Sequence, residues 1–198
     1  MDVDNALKVI LLGETGVGKT NLINVTMGLA FNVELTPTIL TSSNLKKYVH
    51  QNKTYVYNMW DTAGQEAYRA VNQIFIKDSK IVIIVFSIDN KNSFNEIEYW
   101  INNVKEILEE GKYIMGLVGN KIDLYEQQEV TEEELEEAAK KYNLKYTMTS
   151  ALTQPSTFKK FLEELLLDYI TTNGIGDHKN PTTKLNNIKN EENSKCKC

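Results

Sequence analysis

The chain has 198 residues, of which 41% are hydrophobic and 25% charged, and its formal net charge is −5. This length predicts one domain with a short tail, and the acidic balance argues against nucleic acid as a partner. The N-terminus lacks the pattern of a signal peptide, and the longest apolar run, IVIIVF, is too short to cross a membrane. The only cysteines, Cys196 and Cys198, stand in the last three residues, so a core disulfide is excluded, as suits a reducing cytosol.

Predicted strands and helices alternate along most of the chain. Short apolar runs predict the strands, and apolar residues at helical spacing predict the helices. Ser93 with Glu96 and Thr131 with Glu134 each match a capping box at a helix start. The predicted strands cover 7–13, 45–50, 54–60, 80–87, 113–120 and 144–150, and the predicted helices cover 19–27, 93–109, 131–142 and 155–171.

This order of elements predicts an α/β fold. Alternating strands and helices favour a mostly parallel sheet with helices on both faces, and the single hairpin adds one antiparallel edge strand. We therefore expect a three-layer domain with a six-stranded sheet at residues 1–172. Residues 173–198 have few large apolar side chains, which predicts a disordered tail ending in Cys-Lys-Cys. Ligands of such sheets bind beyond the carboxyl ends of the strands.

A glycine-rich segment, GETGVGKT at 13–20, follows the first predicted strand. It fits the phosphate-binding pattern of two glycines four residues apart, then Lys and Thr. Unpaired N–H groups at a helix start can wrap an anion, with Lys19 on the phosphates and the Thr20 hydroxyl on Mg²⁺. A plain turn with chance glycines is the alternative, which the flanking strand and helix disfavour. The candidate residues are Gly13, Glu14, Thr15, Gly16, Val17, Gly18, Lys19 and Thr20.

The segment GNKIDL at 119–124 predicts which base is bound. A carboxylate at Asp123 can accept hydrogen bonds from N1–H and the 2-amino group of guanine, and adenine offers neither donor. Asn120 and the stem of Lys121 would shape the same pocket. A charged loop at a strand end is the alternative for this segment taken alone.

A third segment, WDTAGQE at 60–66, lies between the first two. Asp61 at a strand end can hold the shell of a Mg²⁺ ion. Gly64 can bring its N–H close to a γ-phosphate, because no side chain stands in the way. Gln65 can orient an attacking water, which makes it the candidate catalytic residue.

Together these segments resemble the Ras superfamily of small GTPases over residues 6–171, and they resemble Rab proteins most. WDTAGQEAYR, SFNEIEYW and the C-terminal Cys-x-Cys carry the Rab likeness. A Rho protein would have an extra helix between NKID and TSA, for which there is no room. The resemblance implies a P-loop NTPase fold that binds GTP and GDP with Mg²⁺ and hydrolyses GTP slowly to GDP and phosphate.

The resemblance also implies roles for particular residues. TSA at 149–151 would supply the last guanine element through Ser150 and the Ala151 N–H, and Phe31 would lie against the guanine edge. The metal ligands would be Thr20, Thr38 and Asp61. Cys196 and Cys198 would carry geranylgeranyl groups, although inert tail cysteines are the alternative.

The partners and location follow from the same resemblance. It implies a monomer that regulates vesicle traffic on the cytoplasmic face of an intracellular membrane, anchored through prenyl groups and cycling with the cytosol. The implied partners are a guanine-nucleotide exchange factor, a GTPase-activating protein, a Rab escort protein, a GDP-dissociation inhibitor and effectors that read the switches.

The first switch departs from the Rab pattern. The usual Gly and Phe after Thr38 are Leu40 and Ser43, so the aromatic triad that Rab effectors read would be Ser43, Trp60 and Phe75. Leu35 replaces a tyrosine, and Leu152 replaces the lysine after TSA. These departures slightly favour a rival function, a scaffold that holds nucleotide with little hydrolysis, against which Gln65 and Thr38 count. A P-loop ATPase is a second rival.

Overall fold

The structure is a computed structural model that describes residues 6–36, 38, 42–62 and 74–173. Within these ranges, no helix is both long enough and apolar enough to pass through a bilayer. The elements are β1 (Leu7–Leu12), α1 (Lys19–Met27), β2 (Ser42–His50), β3 (Lys53–Asp61), β4 (Ile81–Ser87), α2 (Lys91–Asn95), α3 (Ile97–Ile107), β5 (Ile114–Asn120), a 3₁₀ helix (Ile122–Gln127), α4 (Glu132–Tyr142), β6 (Lys145–Met148) and α5 (Pro155–Asn173).

The strands form one six-stranded sheet in the order β2-β3-β1-β4-β5-β6. Among the described strands, only β2 and β3 pair in antiparallel fashion, and every other neighbouring pair is parallel. The predicted fold class is therefore confirmed. The parallel strands end at one edge of the sheet, which places the loops after β1, β3 and β5 at that same edge.

Helices cover both faces of the sheet and enclose two apolar clusters. Residues of β1 alternate between them, because successive side chains of a strand point to opposite faces. Val9 and Leu11 pack in the cluster beneath α1 and α5, and Ile10 and Leu12 pack in the cluster beneath α3 and α4. All seven residues of β4 are buried, as expected of a central strand covered on both faces.

The helix after β4 differs from its prediction. Its N-cap is Asn90, whose side chain accepts a hydrogen bond from the Ser93 N–H, so the prediction that Ser93 caps this helix is wrong. The Ser93 hydroxyl donates to the Asn90 carbonyl at 2.7 Å and accepts from the Ser87 N–H at 3.0 Å. Glu96 then ends α2 and begins α3, which divides the single predicted helix in two.

Two other local predictions have clear outcomes. The capping box at the start of α4 is confirmed, since Thr131 and Glu134 each bind the other's backbone. The turn between β2 and β3 has no glycine, and Gln51 and Asn52 both adopt positive φ, 48° and 61°. Two positive φ angles in a two-residue loop match the twist of a hairpin, which explains how the strands close without glycine.

Candidate nucleotide site

A cavity of about 580 Å³ lies beyond the carboxyl ends of the strands. Its walls come from the glycine-rich loop, the loop after α1, the end of β5 and the loop after β6. The lining residues are Thr15, Gly16, Gly18, Lys19, Thr20, Asn21, Phe31, Asn32, Val33, Leu35, Thr36, Thr38, Thr62, Asn120, Lys121, Asp123, Leu124, Ala151 and Leu152.

Two glycines of the loop at 13–20 are required by close contacts as well as by backbone conformation. A Cβ at Gly13, whose φ is 138°, would lie 2.0 Å from the Val85 carbonyl oxygen. A Cβ at Gly18, whose φ is 95°, would lie 2.4 Å from Nδ2 of Asn120. The loop therefore packs directly against β4 and β5 through its backbone, which leaves its other side for an anion.

Lys19 crosses the glycine-rich loop. Its Nζ donates to the carbonyls of Gly13 and Glu14, both at 2.8 Å, and the side chain is almost fully buried. Burial lowers the pKa of Lys19 to about 8, against the opposing effect of the Asp61 and Glu14 charges. An ammonium has three N–H donors, so these two bonds leave one for a phosphate oxygen.

Three oxygen-bearing side chains meet beside Lys19. Thr20 Oγ1 donates to Asp61 Oδ2 at 2.8 Å and lies 2.9 Å from Thr38 Oγ1. Asp61 is 4% exposed, burial raises its pKa, and its Oδ1 accepts no hydrogen bond from the described part of the chain. Hydroxyl and carboxylate oxygens are the ligands that Mg²⁺ prefers, so this set fits the predicted metal.

Asn120 joins two loops at the other end of the cavity. Its Nδ2 donates to the Val17 carbonyl at 2.8 Å, and its Oδ1 accepts from the Ala151 N–H at 3.2 Å. The side chain is buried, and both ends of its amide are occupied. Asn120 therefore fixes the glycine-rich loop and the TSA loop relative to each other. The sequence had predicted only that Asn120 would shape the pocket.

Asp123 is oriented by the TSA loop. The Ser150 hydroxyl donates to Asp123 Oδ1 and accepts from the N–H groups of Leu152 and Thr153, at 3.1 and 3.0 Å. A carboxylate held in this way is a preorganised acceptor, as recognition of a guanine N1–H and 2-amino group requires. Lys121 lines the same end, and its Nζ lies 3.7 Å from Asp89 Oδ2.

Comparisons with known proteins agree with this geometry. A profile of the Ras family matches residues 8–170. The chain belongs to the Ras family. Ras-related protein Rab-11B of Dictyostelium discoideum is 36% identical over 152 residues, or 77% of this chain and 69% of that protein. Ras-related protein Rab-22A of Canis lupus familiaris is 34% identical over 159 residues, or 79% of this chain and 80% of its own. GTP-binding protein ypt3 of Schizosaccharomyces pombe is 34% identical over 160 residues, or 81% and 74% respectively.

The Rab-like character that the sequence indicated is thereby confirmed. In this Rab-like small GTPase, the structure gathers most of the predicted site residues around one cavity. Phe31 lines it while packing against the core beneath α1 and α5. The Val17 side chain is buried in that core, and the Val17 carbonyl accepts the hydrogen bond from Asn120 Nδ2. Predictions for Gly64, Gln65, Cys196 and Cys198 concern residues outside the described ranges.

Sequence reasoning missed several residues of this Rab-like site. Asn21 and Asn32 line the cavity and are hydrogen-bonded to each other, and neither belongs to a recognised nucleotide-binding segment. Thr62 lines it too, and its hydroxyl donates to the Leu11 carbonyl at 2.6 Å. That bond ties the end of β3 to β1 and so supports the position of Asp61. Each of these hydrogen bonds joins a side chain to a backbone group. Every residue has such backbone groups, so the sequence does not indicate which of them are bonded.

The predicted effector triad comes together on the surface of this Rab-like protein. Ser43 lies directly opposite Trp60 in the β2–β3 register, and the rings of Trp60 and Phe75 are 6.0 Å apart. Lys8 Nζ stands 4.6 Å from the centre of the Trp60 ring. A small hydroxyl thus occupies the position where the Rab pattern has a phenylalanine, and a cation lies on the neighbouring ring.

Proposed function

We propose that this chain is a GTP/GDP-switched regulator of vesicle trafficking that binds Mg²⁺-GTP in the cavity and hydrolyses it slowly to GDP. The main support is that one cavity is lined at one end by Thr20 and Thr38, and at the other by Asp123. Asp61 is hydrogen-bonded to Thr20, and Ser150 is hydrogen-bonded to Asp123. The first group suits a metal-bound triphosphate, and the second suits guanine. An ATPase would not need the second group.

The residues at the phosphate end of the cavity have different proposed roles. Lys19 and the N–H groups at the start of α1 hold the β- and γ-phosphates. Thr20, Thr38 and Asp61 would hold Mg²⁺, which when bound supplies positive charge that neutralises the phosphates. Because Thr38 belongs to the first switch, its hydroxyl links the state of that segment to the nucleotide that is bound.

Hydrolysis is assigned to Gln65, which would orient the attacking water. Intrinsic turnover is expected to be slow, on the order of 10⁻⁴ per second, as in small GTPases without an arginine in cis. A GTPase-activating protein would supply the missing charge. The rival scaffold would bind the same nucleotide and release no phosphate.

Phosphate release from purified protein with Mg²⁺-GTP tests this function. We expect slow, stoichiometric release in a single turnover, and Gln65→Leu is expected to bind GTP normally while losing hydrolysis that an activating protein stimulates. Leu has a similar size but cannot orient water. Equal stimulated rates for both proteins would remove Gln65 from catalysis. No release from the wild type would support the scaffold, and displacement of GTP by ATP would support an ATPase.

Effectors are expected to read the surface formed by Ser43, Trp60 and Phe75. Because Ser43 is small and exposed beside Trp60, a partner has room to place a bulky apolar side chain there. Partners that rely on a phenylalanine at this position would lose contact area. The exchange factor, activating protein, Rab escort protein and GDP-dissociation inhibitor are proposed from family membership alone.

Membrane association is proposed to depend on Cys196 and Cys198. One lipid chain gives marginal binding and two give stable anchoring, because each buried CH₂ contributes about 0.8 kcal/mol. Replacing Cys198 alone is therefore expected to weaken membrane retention, and replacing both is expected to leave the protein in the cytosol.

Cell fractionation with each variant measures this effect. GTP binding should survive in both variants, since the cysteines lie far along the chain from the nucleotide-binding segments, and this serves as the folding control. If the double variant still pellets with membranes as the wild type does, the anchor lies elsewhere and the cysteines are inert.

A further inference from the structure

An amide side chain on α1 clamps the loop that follows this helix. Asn21 Nδ2 donates to the Asn32 carbonyl at 2.9 Å, and Asn21 Oδ1 accepts from the Asn32 N–H at 3.0 Å. Both backbone groups of one residue are thus held by the two ends of one amide. Asn21 is 8% exposed, so water has little access to replace these bonds.

The clamped residue is the neighbour of Phe31. Phe31 lines the cavity and packs against the core, and Asn32 continues the wall. A further bond extends the clamp, since the Glu34 N–H donates to Asn32 Oδ1 at 2.9 Å. The same loop then leads to Thr38 at the metal end.

Apart from Phe31, the described residues of this loop have few packed side chains. Val33 is 85% exposed and Leu35 is 39% exposed, so neither side chain adds much packing. A segment with few buried apolar contacts depends for its order on the hydrogen bonds that it makes. Asn21 provides two such bonds from a rigid helix.

We infer that Asn21 is a positioning residue that sets the residence time of the bound nucleotide by holding Phe31 at the base end of the cavity. The inference rests on the proposed function, because Phe31 acts on a guanine only if one is bound. Asn21 binds the Asn32 backbone with both polar atoms of its amide. It acts through the Asn32 backbone, and the loss of its amide frees Phe31 to leave the cavity wall.

The rate of release of a fluorescent GDP from the Mg²⁺-loaded protein, chased with unlabelled GDP, tests this inference. Asn21→Ala and Asn21→Leu are expected to release it about ten times faster, because two hydrogen bonds are lost. Asn21→Leu keeps the side-chain volume, which guards against a simple packing defect. Asn24→Ala, one turn along α1, is the matched control and should release at the wild-type rate. Circular dichroism establishes that each variant is folded.

A double-mutant cycle separates positioning from a general structural role. If Asn21 acts through Phe31, Phe31→Ala speeds release by itself, and adding Asn21→Ala to it changes nothing further. Multiplied effects in the double variant would overturn the inference, as would wild-type release rates from both Asn21 variants. Failure of the wild type to bind the fluorescent GDP would instead reject the proposed function.

Discussion

Asp123→Asn is expected to lower the affinity for GTP by roughly a hundredfold to ten-thousandfold and to create affinity for xanthosine triphosphate. The carboxylate would accept two hydrogen bonds from guanine, and bonds to a charged group contribute about 1.5–3 kcal/mol each. An amide presents a donor to the guanine donors. Xanthine has a carbonyl oxygen where guanine has the 2-amino group, so the same amide donor can pair with it. Fluorescence titration with labelled GTP and XTP measures both affinities.

The control for this change is Asp168→Asn on α5. Asp168 pairs with Lys145 at 2.6 Å, and its side chain is 36% exposed, so the chemical change is the same while the cavity is untouched. A surface pair of this kind contributes at most about 1 kcal/mol, and GTP affinity should stay at the wild-type value. Unchanged GTP affinity in Asp123→Asn would show that another residue selects the base.

The sheet could be predicted because its strands are strongly apolar and the helices between them are amphipathic. The six consecutive apolar residues at 81–86 favour a buried strand by their length and β-branched content, and all seven residues of β4 are buried. The helix cap after it could not be predicted, since Ser93 and Asn90 are both good N-caps. The choice depends on Ser87, whose N–H donates to the Ser93 hydroxyl. That contact exists only once β4 and α2 are folded together.

The site shows the same division between local and long-range information. Lys19 and Thr20 share one short segment with the glycines, so their spacing alone predicts phosphate binding. The role of Asn21 was not predictable, because both of its partners are backbone atoms of Asn32. Backbone groups are the same in every residue, so a sequence carries no mark of which ones are bonded. The bridge from Asn120 to Val17 was hidden for the same reason.

Thr20→Asn is expected to lower the affinity for GTP by about ten- to a hundredfold and to leave the affinity for GDP much less affected. In the structure, Thr20 Oγ1 lies 2.9 Å from Thr38 Oγ1 and 2.8 Å from Asp61 Oδ2, so a larger side chain without the hydroxyl would lose both contacts. An amide is also a bulkier ligand for a small octahedral ion than a hydroxyl. The GTP form suffers more, because it needs the metal to neutralise the additional phosphate.

The metal dependence of nucleotide release provides the decisive measurement. Chelating Mg²⁺ should speed GTP release from the wild type, and it should change the rate little in Thr20→Asn, which has already lost that contribution. Thr20→Ser keeps the hydroxyl and should behave as the wild type does. Thr36→Asn makes the same substitution at an exposed position of the same cavity and should also remain normal. If chelation accelerates release equally in Thr20→Asn and the wild type, the Thr20 hydroxyl is not a ligand, and the pair of Asp61 and Thr38 must hold the ion without it.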